Sequence, residues 1–212
     1  MGRDLTQKCK QCRREGVKLM LKGERCESTK CALVKRNYIP GVHGLKLGRG
    51  GRMSGYGIQL REKQKAKRTY RLMEKQFRNY FDKAINTKAG ETGENLFNLL
   101  EMRMDNVVYK AGFCGSRDFA KQAIGHGAFQ VNGKKLDIPS YQMKVKDKIT
   151  IRPKNLKMPQ FIDLAEKLKK RQLPEWLAVD LKTLEITVIG VPNLQKDIPS
   201  FDLKAIIEFY SK

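Results

Sequence analysis

The 212-residue chain is 40% hydrophobic, enough for one large or two small cored domains. Its 44 lysines and arginines face 22 acids, and a net charge of +22 points to a polyanionic partner, nucleic acid before an anionic membrane surface. No apolar run approaches the ~18 residues of a membrane helix, and the N-terminal MGRDLTQKCK lacks the apolar region of a secretory signal.

The charge is lopsided. Residues 1–90 hold 24 basic and 7 acidic side chains, residues 91–155 hold 11 and 7, and residues 156–212 hold 9 and 8. The first part is therefore the expected polyanion binder and the last reads as structural.

Four of the five cysteines lie in the first 31 residues, Cys9 and Cys12 as CKQC and Cys26 and Cys31 as CESTKC. Two close pairs with two- and four-residue gaps can set four thiolates around a tetrahedral ion. A reducing compartment favours metal over disulfides, and so polar a segment needs a staple to fold. Lys8, Lys10, Arg13, Arg14 and Lys30 would favour thiolate and offset the negative centre. Four reduced thiols or two disulfides are the competing readings. Zinc is preferred to an iron–sulfur cluster, which thiolates alone do not exclude. A site closed by four thiolates is structural. Cys114, between Phe113 and Gly115, reads as a small buried hydrophobe.

LGRGGRMSGYG (47–57) is linker-like and adds Arg49 and Arg52, but it lacks the Lys-Ser/Thr ending of a nucleotide-binding loop. A single helix is predicted over 57–84. Ala66, Tyr70, Met73, Phe77, Tyr80, Phe81 and Ala84 share its apolar face. Arg61, Lys65, Lys67, Arg68, Arg71, Lys75 and Arg78 spread over the opposite half. Only Glu62 and Glu74 interrupt that basic stretch, so the face suits a phosphate backbone better than plain solvation.

ENLFNLLEMRMDNVVYKAG (94–112) predicts a second helix with Leu96, Leu100, Met104, Val107, Val108 and Ala111 inward and Gly112 past its end. Ser116 is the expected N-cap of a shorter helix that ends at Gly125 and Gly127. AFQVNGKKLDI then alternates around Asn132-Gly133, a strong hairpin signal, and KDKITI (146–151) supplies a further strand. Lys134 and Lys135 follow the turn, with Arg117 and Lys121 on the preceding helix. His126 has no catalytic companion in the sequence and reads as a helix-capping or RNA-contacting imidazole.

The stretch RMDNVVYKAGFCGSRDFAKQAIGHGAFQVNGKKLDIPSY resembles the compact RNA-binding module named after small-subunit ribosomal protein four. Arg103, Asp105, Asn106, Ser116, Arg117, Gln122, His126, Gly127, Val131, Asn132, Gly133, Asp137, Pro139 and Ser140 occupy that module's pattern positions. YGIQLREKQKAKRTYRLMEKQF, PEWLAVD and IIEFYSK extend the resemblance to the bacterial-type family of that ribosomal protein, and the four cysteines match its zinc-binding version. Cys114-Gly115 departs from the usual small-residue pair, and residues 156–212 match only in scattered motifs.

The resemblance implies an α+β fold in two lobes. It comprises a zinc-binding arm (1–45), a basic helical lobe (46–94) completed by 195–212, and an inserted RNA-binding lobe (95–194) whose core module spans about 103–152. It implies a non-catalytic cytoplasmic constituent of the small subunit that binds 16S rRNA at a 5′-domain junction and nucleates the subunit body. Ribosomal protein five, where contact influences accuracy, ribosomal protein three and mRNA at its entrance are the other implied partners; no membrane and no small-molecule substrate are expected. The candidate RNA contacts are Arg3, Lys8, Lys10, Arg13, Arg14, Arg49, Arg52, Arg61, Lys63, Lys65, Lys67, Arg68, Arg71, Lys75, Arg103, Ser116, Arg117, Lys121, Gln122, His126, Asn132, Lys134 and Lys135. The competing classes are a pseudouridine synthase, to whose Arg-Leu-Asp the RMD of 103–105 is superficially similar, and a basic membrane-surface protein. The first lacks room for a catalytic domain, and the second lacks a lipidation signal.

Overall fold

A computed structural model describes residues 4–44, 53–169 and 171–211. In chain order the elements are helices α1 (Lys8–Glu15), α2 (Glu24–Glu27), α3 (Ala32–Lys35), α4 (Gly55–Thr69), α5 (Glu74–Asn86), α6 (Thr92–Glu101), α7 (Met104–Lys110) and α8 (Arg117–Gly125), then strands β1 (Phe129–Val131), β2 (Lys134–Lys135) and β3 (Lys148–Ile151). Helices α9 (Pro159–Ile162) and α10 (Leu164–Lys169), strands β4 (Leu177–Asp180) and β5 (Glu185–Val188), and helix α11 (Leu203–Tyr210) follow. The chain divides into two units, residues 1–96 with 198–212, and residues 97–197.

In the first unit the helix expected over 57–84 is two helices. Ser54 caps the first, its hydroxyl accepting from the Gly57 N–H at 3.2 Å. The break falls at Arg71, whose φ is +55°. The Leu72 N–H donates to the Lys67 carbonyl at 3.0 Å and the Arg71 N–H to that of Arg68 at 3.2 Å, the double closure that usually puts glycine in the left-handed position. Arg71 holds that position because its guanidinium is fixed elsewhere, donating to Gln11 Oε1 at 2.9 Å and to the Asp4 carbonyl at 2.8 Å. Ala66, Tyr70, Phe77, Phe81 and Ala84 are buried as expected, Tyr80 is half-buried, and Met73 is exposed at the break.

The C-terminal helix α11 closes this unit. Asp202 caps it, accepting from the Lys204 N–H at 2.8 Å, and Leu203, Ala205 and Ile206 are buried. Gln59 Nε2 donates to Glu208 Oε2 at 2.7 Å, and the Asp202 N–H donates to Glu62 Oε2 at 3.0 Å. Tyr210 stacks on Phe81 with centroids 4.6 Å apart.

In the second unit the helix expected over 94–112 is also split, although its six inward residues are all buried. Arg103 is extended and bridges Gln142. The Met104 and Asp105 N–H groups donate to the carbonyls of Tyr141 and Pro139 at 2.9 and 3.1 Å, and the Met143 N–H to that of Met102 at 2.8 Å. These bonds to a distant segment replace helical ones, so the interruption has no local signal.

The hairpin forms as the sequence predicts. Gln130 pairs with Lys135 and Val131 with Lys134, and both turn residues have positive φ, +49° at Asn132 and +79° at Gly133. The sheet is antiparallel in the order β2-β1-β3-β5-β4. Phe129, Val131, Ile149, Ile151, Ile186 and Val188 are buried in one core with Val107, Val108, Ala120 and Ile124. Each fully buried Val, Ile or Phe of that set contributes roughly 1.5–3 kcal/mol. The result is the expected α+β combination of helices and a small antiparallel sheet. Among the described residues no helix is long and apolar enough to cross a membrane.

Candidate nucleic-acid interface and cysteine cluster

Gly16 and Gly23, with φ of +72° and +59°, turn the chain after α1 and before α2. Cys9, Cys12, Cys26 and Cys31 thereby line a single pocket, and none of the four is in a disulfide. Burial pushes the Cys12 thiol up; an N–H from Leu19 works against that, while the sulfurs of Cys26, Cys9 and Cys31 add to it. The Lys22 N–H donates to Cys26 Sγ at 3.3 Å, a bond that stabilises thiolate. Among the described residues no three His, Cys, Asp or Glu side chains form an assembled ligand set. The donor chemistry and the shared pocket nevertheless fit a thiophilic ion. Cys114 stands apart, 1% exposed, its thiol pushed up to about 12 by burial.

Helix α4 differs from the open cationic face expected of it. Glu15 has a side chain 0% exposed and takes Arg68 and, at 3.4 Å, Arg61. Burial pushes the Glu15 carboxyl up, because the desolvation exceeds the pull of Arg68, Arg61, Lys65 and Arg14. Lys63 is buried, 2.6 Å from Glu74, with its ammonium 4.8 Å from the Phe209 ring centroid. Lys67 reaches the other Glu74 oxygen at 3.0 Å, and Lys65 reaches Glu62 at 2.5 Å. Burial raises the Glu74 carboxyl, but hydrogen bonds from Lys63, Lys67 and Tyr210 outweigh it and hold the group at about 2. Arg71, expected on the phosphate-facing side, is buried here as an internal hub, with a left-handed backbone and bonds to Asp4 and Gln11. Of the described residues expected on the basic face of α4–α5, Lys75 and Arg78, both on α5, are exposed.

In the second unit several candidates are also internal. Arg103 grips Asp105 with two bonds of 3.0 and 2.7 Å, both side chains being buried. Lys121 lies 3.6 Å from the same carboxylate. Burial lowers Lys121 to about 8 despite the Asp105 charge. Arg117 is buried, donating to Asn106 Oδ1 at 2.8 Å and stacking 4.5 Å from the Tyr109 centroid. Ser116 serves as the expected N-cap, accepting from the Phe119 N–H at 3.3 Å. Asn132 spends its amide on the turn, donating to Asp147 Oδ1 at 2.9 Å and accepting from the Lys148 N–H at 3.0 Å. Gln122, His126, Lys134 and Lys135 are exposed, with His126 at the end of α8 and Lys135 3.4 Å from Asp137.

Among the described residues, cations without a carboxylate partner cluster on the arm, and others stand exposed elsewhere, among them Lys75, Arg78, Lys134, Lys144, Lys146 and Lys154. Lys10, Arg13 and Arg14, all candidates, form no ion pair among the described residues; Lys8 is half-exposed. Lys10 and Arg14 are exposed and Arg13 half-buried; Lys18, Lys22, Arg25, Lys35 and Arg36, not among the expected contacts, are exposed and likewise unpaired there. Nothing in composition separates these from the paired arginines of α4, because their partners are distant in sequence. Arg3, Arg49 and Arg52 lie outside the described residues.

A family profile described as the ribosomal protein S4/S9 N-terminal domain matches residues 3–101, and one described as the S4 domain matches residues 102–149. The chain is 50% identical over 213 residues to small ribosomal subunit protein uS4A of Clostridium novyi, covering 100% of both chains. It is 47% identical over 212 residues to small ribosomal subunit protein uS4 of Syntrophomonas wolfei, again covering 100% of both. With uS4A of Alkaliphilus metalliredigens the identity is 49% over 205 residues, 96% of each chain. By end-to-end identity of this order and by both domain matches, the chain belongs to the uS4 family of small ribosomal subunit proteins.

Proposed function

We propose that this protein is a cytoplasmic structural constituent of the small ribosomal subunit that binds 16S rRNA directly, at a helical junction of the 5′ domain, and nucleates the subunit body. The family is one of ribosomal structural proteins, not of enzymes. The observation that carries the rRNA reading is the set of exposed, unpaired cations on the N-terminal arm, in a chain similar end to end to small-subunit proteins. Phosphate contacts from these cations supply most of the affinity, and the fitted surface of each unit selects folded RNA. Contacts with ribosomal proteins five and three and with mRNA at its entrance belong to the same proposal, as does an influence on translational accuracy.

Cys9, Cys12, Cys26 and Cys31 hold one structural zinc ion in this reading, supported by their common pocket and their spacing. Zinc bound there cross-links α1 to the α2–α3 segment and supplies no reaction chemistry. Lys10, Arg13 and Arg14 take phosphates, joined by Lys134, Lys135, Gln122 and His126 of the module.

Filter binding to a transcribed 16S 5′ domain tests the rRNA reading. With 6–10 phosphate contacts, affinity should fall by about 10³–10⁵ between 50 and 200 mM salt. Folded junction RNA should outcompete single strands of equal length. Equal affinity for the two would refute selection of a folded junction.

A further inference from the structure

We propose that Arg13 and Tyr38 form a stacking platform for one unpaired base of the rRNA. The inference rests on the rRNA-binding reading above and deepens it, assigning base contact to an arm otherwise credited only with phosphate contacts.

The guanidinium of Arg13 lies over the Tyr38 ring, 4.5 Å from its centroid. Its Nε also donates to the Tyr38 carbonyl at 2.9 Å. These two attachments fix the plane of the pair before any ligand arrives, which lowers the ordering cost of a stack. No carboxylate pairs with Arg13 among the described residues, so its charge is available to a π-face or a phosphate.

The ring is not needed by the arm's interior, whose apolar core is Leu19 and Leu21 with Cys12 and the half-buried Val17. Tyr38 instead stands 37% exposed. Arg14 on α1, Lys35 at the end of α3 and Arg36 just after it are exposed, and none is in an ion pair among the described residues. A flat aromatic–guanidinium surface, with further cations close to it in the chain, matches the parts of a nucleotide, a planar base flanked by phosphates. Bases inside an RNA duplex are stacked and unavailable, so the ligand class is a splayed nucleotide of a loop, bulge or junction.

The test uses the full-length chain bound to the 16S 5′ domain. Ultraviolet crosslinking followed by nuclease and trypsin should leave a nucleotide adduct on Tyr38, in the peptide Asn37–Lys46. Tyr38→Ala should weaken binding about 5- to 150-fold, whereas Tyr38→Phe should bind like the parent. The dependence of affinity on salt should be unchanged by Tyr38→Ala, because a neutral ring releases no counterions. Arg14→Ala should lower the slope by about 0.7–0.9. Tight parental binding with no adduct on that peptide, and Tyr38→Ala within twofold, would overturn the platform and leave rRNA binding intact. No binding by the parent would overturn both.

Discussion

Replacing Asp105 by asparagine removes one charge from a pair whose two side chains are 2% and 3% exposed. Solvent screening is slight at such burial, so the arginine is left as an under-compensated internal cation, a loss of about 3–5 kcal/mol. The amide keeps the shape and one accepting oxygen, which places the expected cost near the lower end, about 3 kcal/mol. Lys121, 3.6 Å away, loses a countercharge too. For a unit of about a hundred residues this corresponds to a fall in melting temperature of about 12–24 °C. Trp176, the chain's only tryptophan, is 4% exposed in the same unit and donates to Asp197 Oδ2 at 3.0 Å, so its fluorescence reports unfolding there. Urea titration of the parent, Asp105→Asn and the Arg103→Met/Asp105→Leu pair should show the single substitution as the worst. A single-substitution loss below about 0.5 kcal/mol would refute the argument from burial.

Lys121 sits at about 8 when folded against 10.5 as a free side chain, so between those pH values the unfolded chain binds the extra proton and stability rises with pH. Lys121→Met should stabilise the second unit by roughly 1–3 kcal/mol at pH 7 and flatten that rise, and identical pH profiles for variant and parent would reject the assignment. Glu74, held at about 2 against 4.5, contributes stability above pH 4.5 that fades as pH falls towards 2; Glu74→Gln should lose this acid dependence in thermal melts of the first unit. Lys63→Met should cost about 1–2 kcal/mol by stripping Glu74 of a buried partner, read as lost hydrogen-exchange protection in α11, and unchanged protection would count against the anchor. One equivalent of zinc per chain is expected in metal analysis of reduced protein, and its loss in Cys26→Ser; metal-free parent protein would remove the zinc proposal.

Local chemistry made some of this legible. Asn132-Gly133 specifies its own turn, and the alternation on either side put Phe129 and Val131 inward. Helical spacing likewise selected Leu96, Leu100, Met104, Val107, Val108 and Ala111. The helix breaks were not legible, since Arg71 and Arg103 are good helix formers held out of the helix by Asp4 and Gln11 in one case and by residues 139–143 in the other. The sequence also could not sort its cations. Glu15 lies 46 and 53 positions from Arg61 and Arg68, a pairing that only tertiary structure creates. Cysteine spacing was the clearest site signal, because two short gaps force close pairs whatever the fold.

The docking of α11 on residues 56–81 also dictates a timetable. Its hydrogen-bond partners are separated by 136 to 149 positions, so the N-terminal half is translated long before α11 exists. The inserted unit is built from residues 97–197, so all of its chain exists before α11 does, and it can mature first, inverting the usual N-to-C order of nascent folding. Until Phe209 and Tyr210 are made, their cradle stays uncovered, so a truncation that removes them is far more damaging than its length suggests.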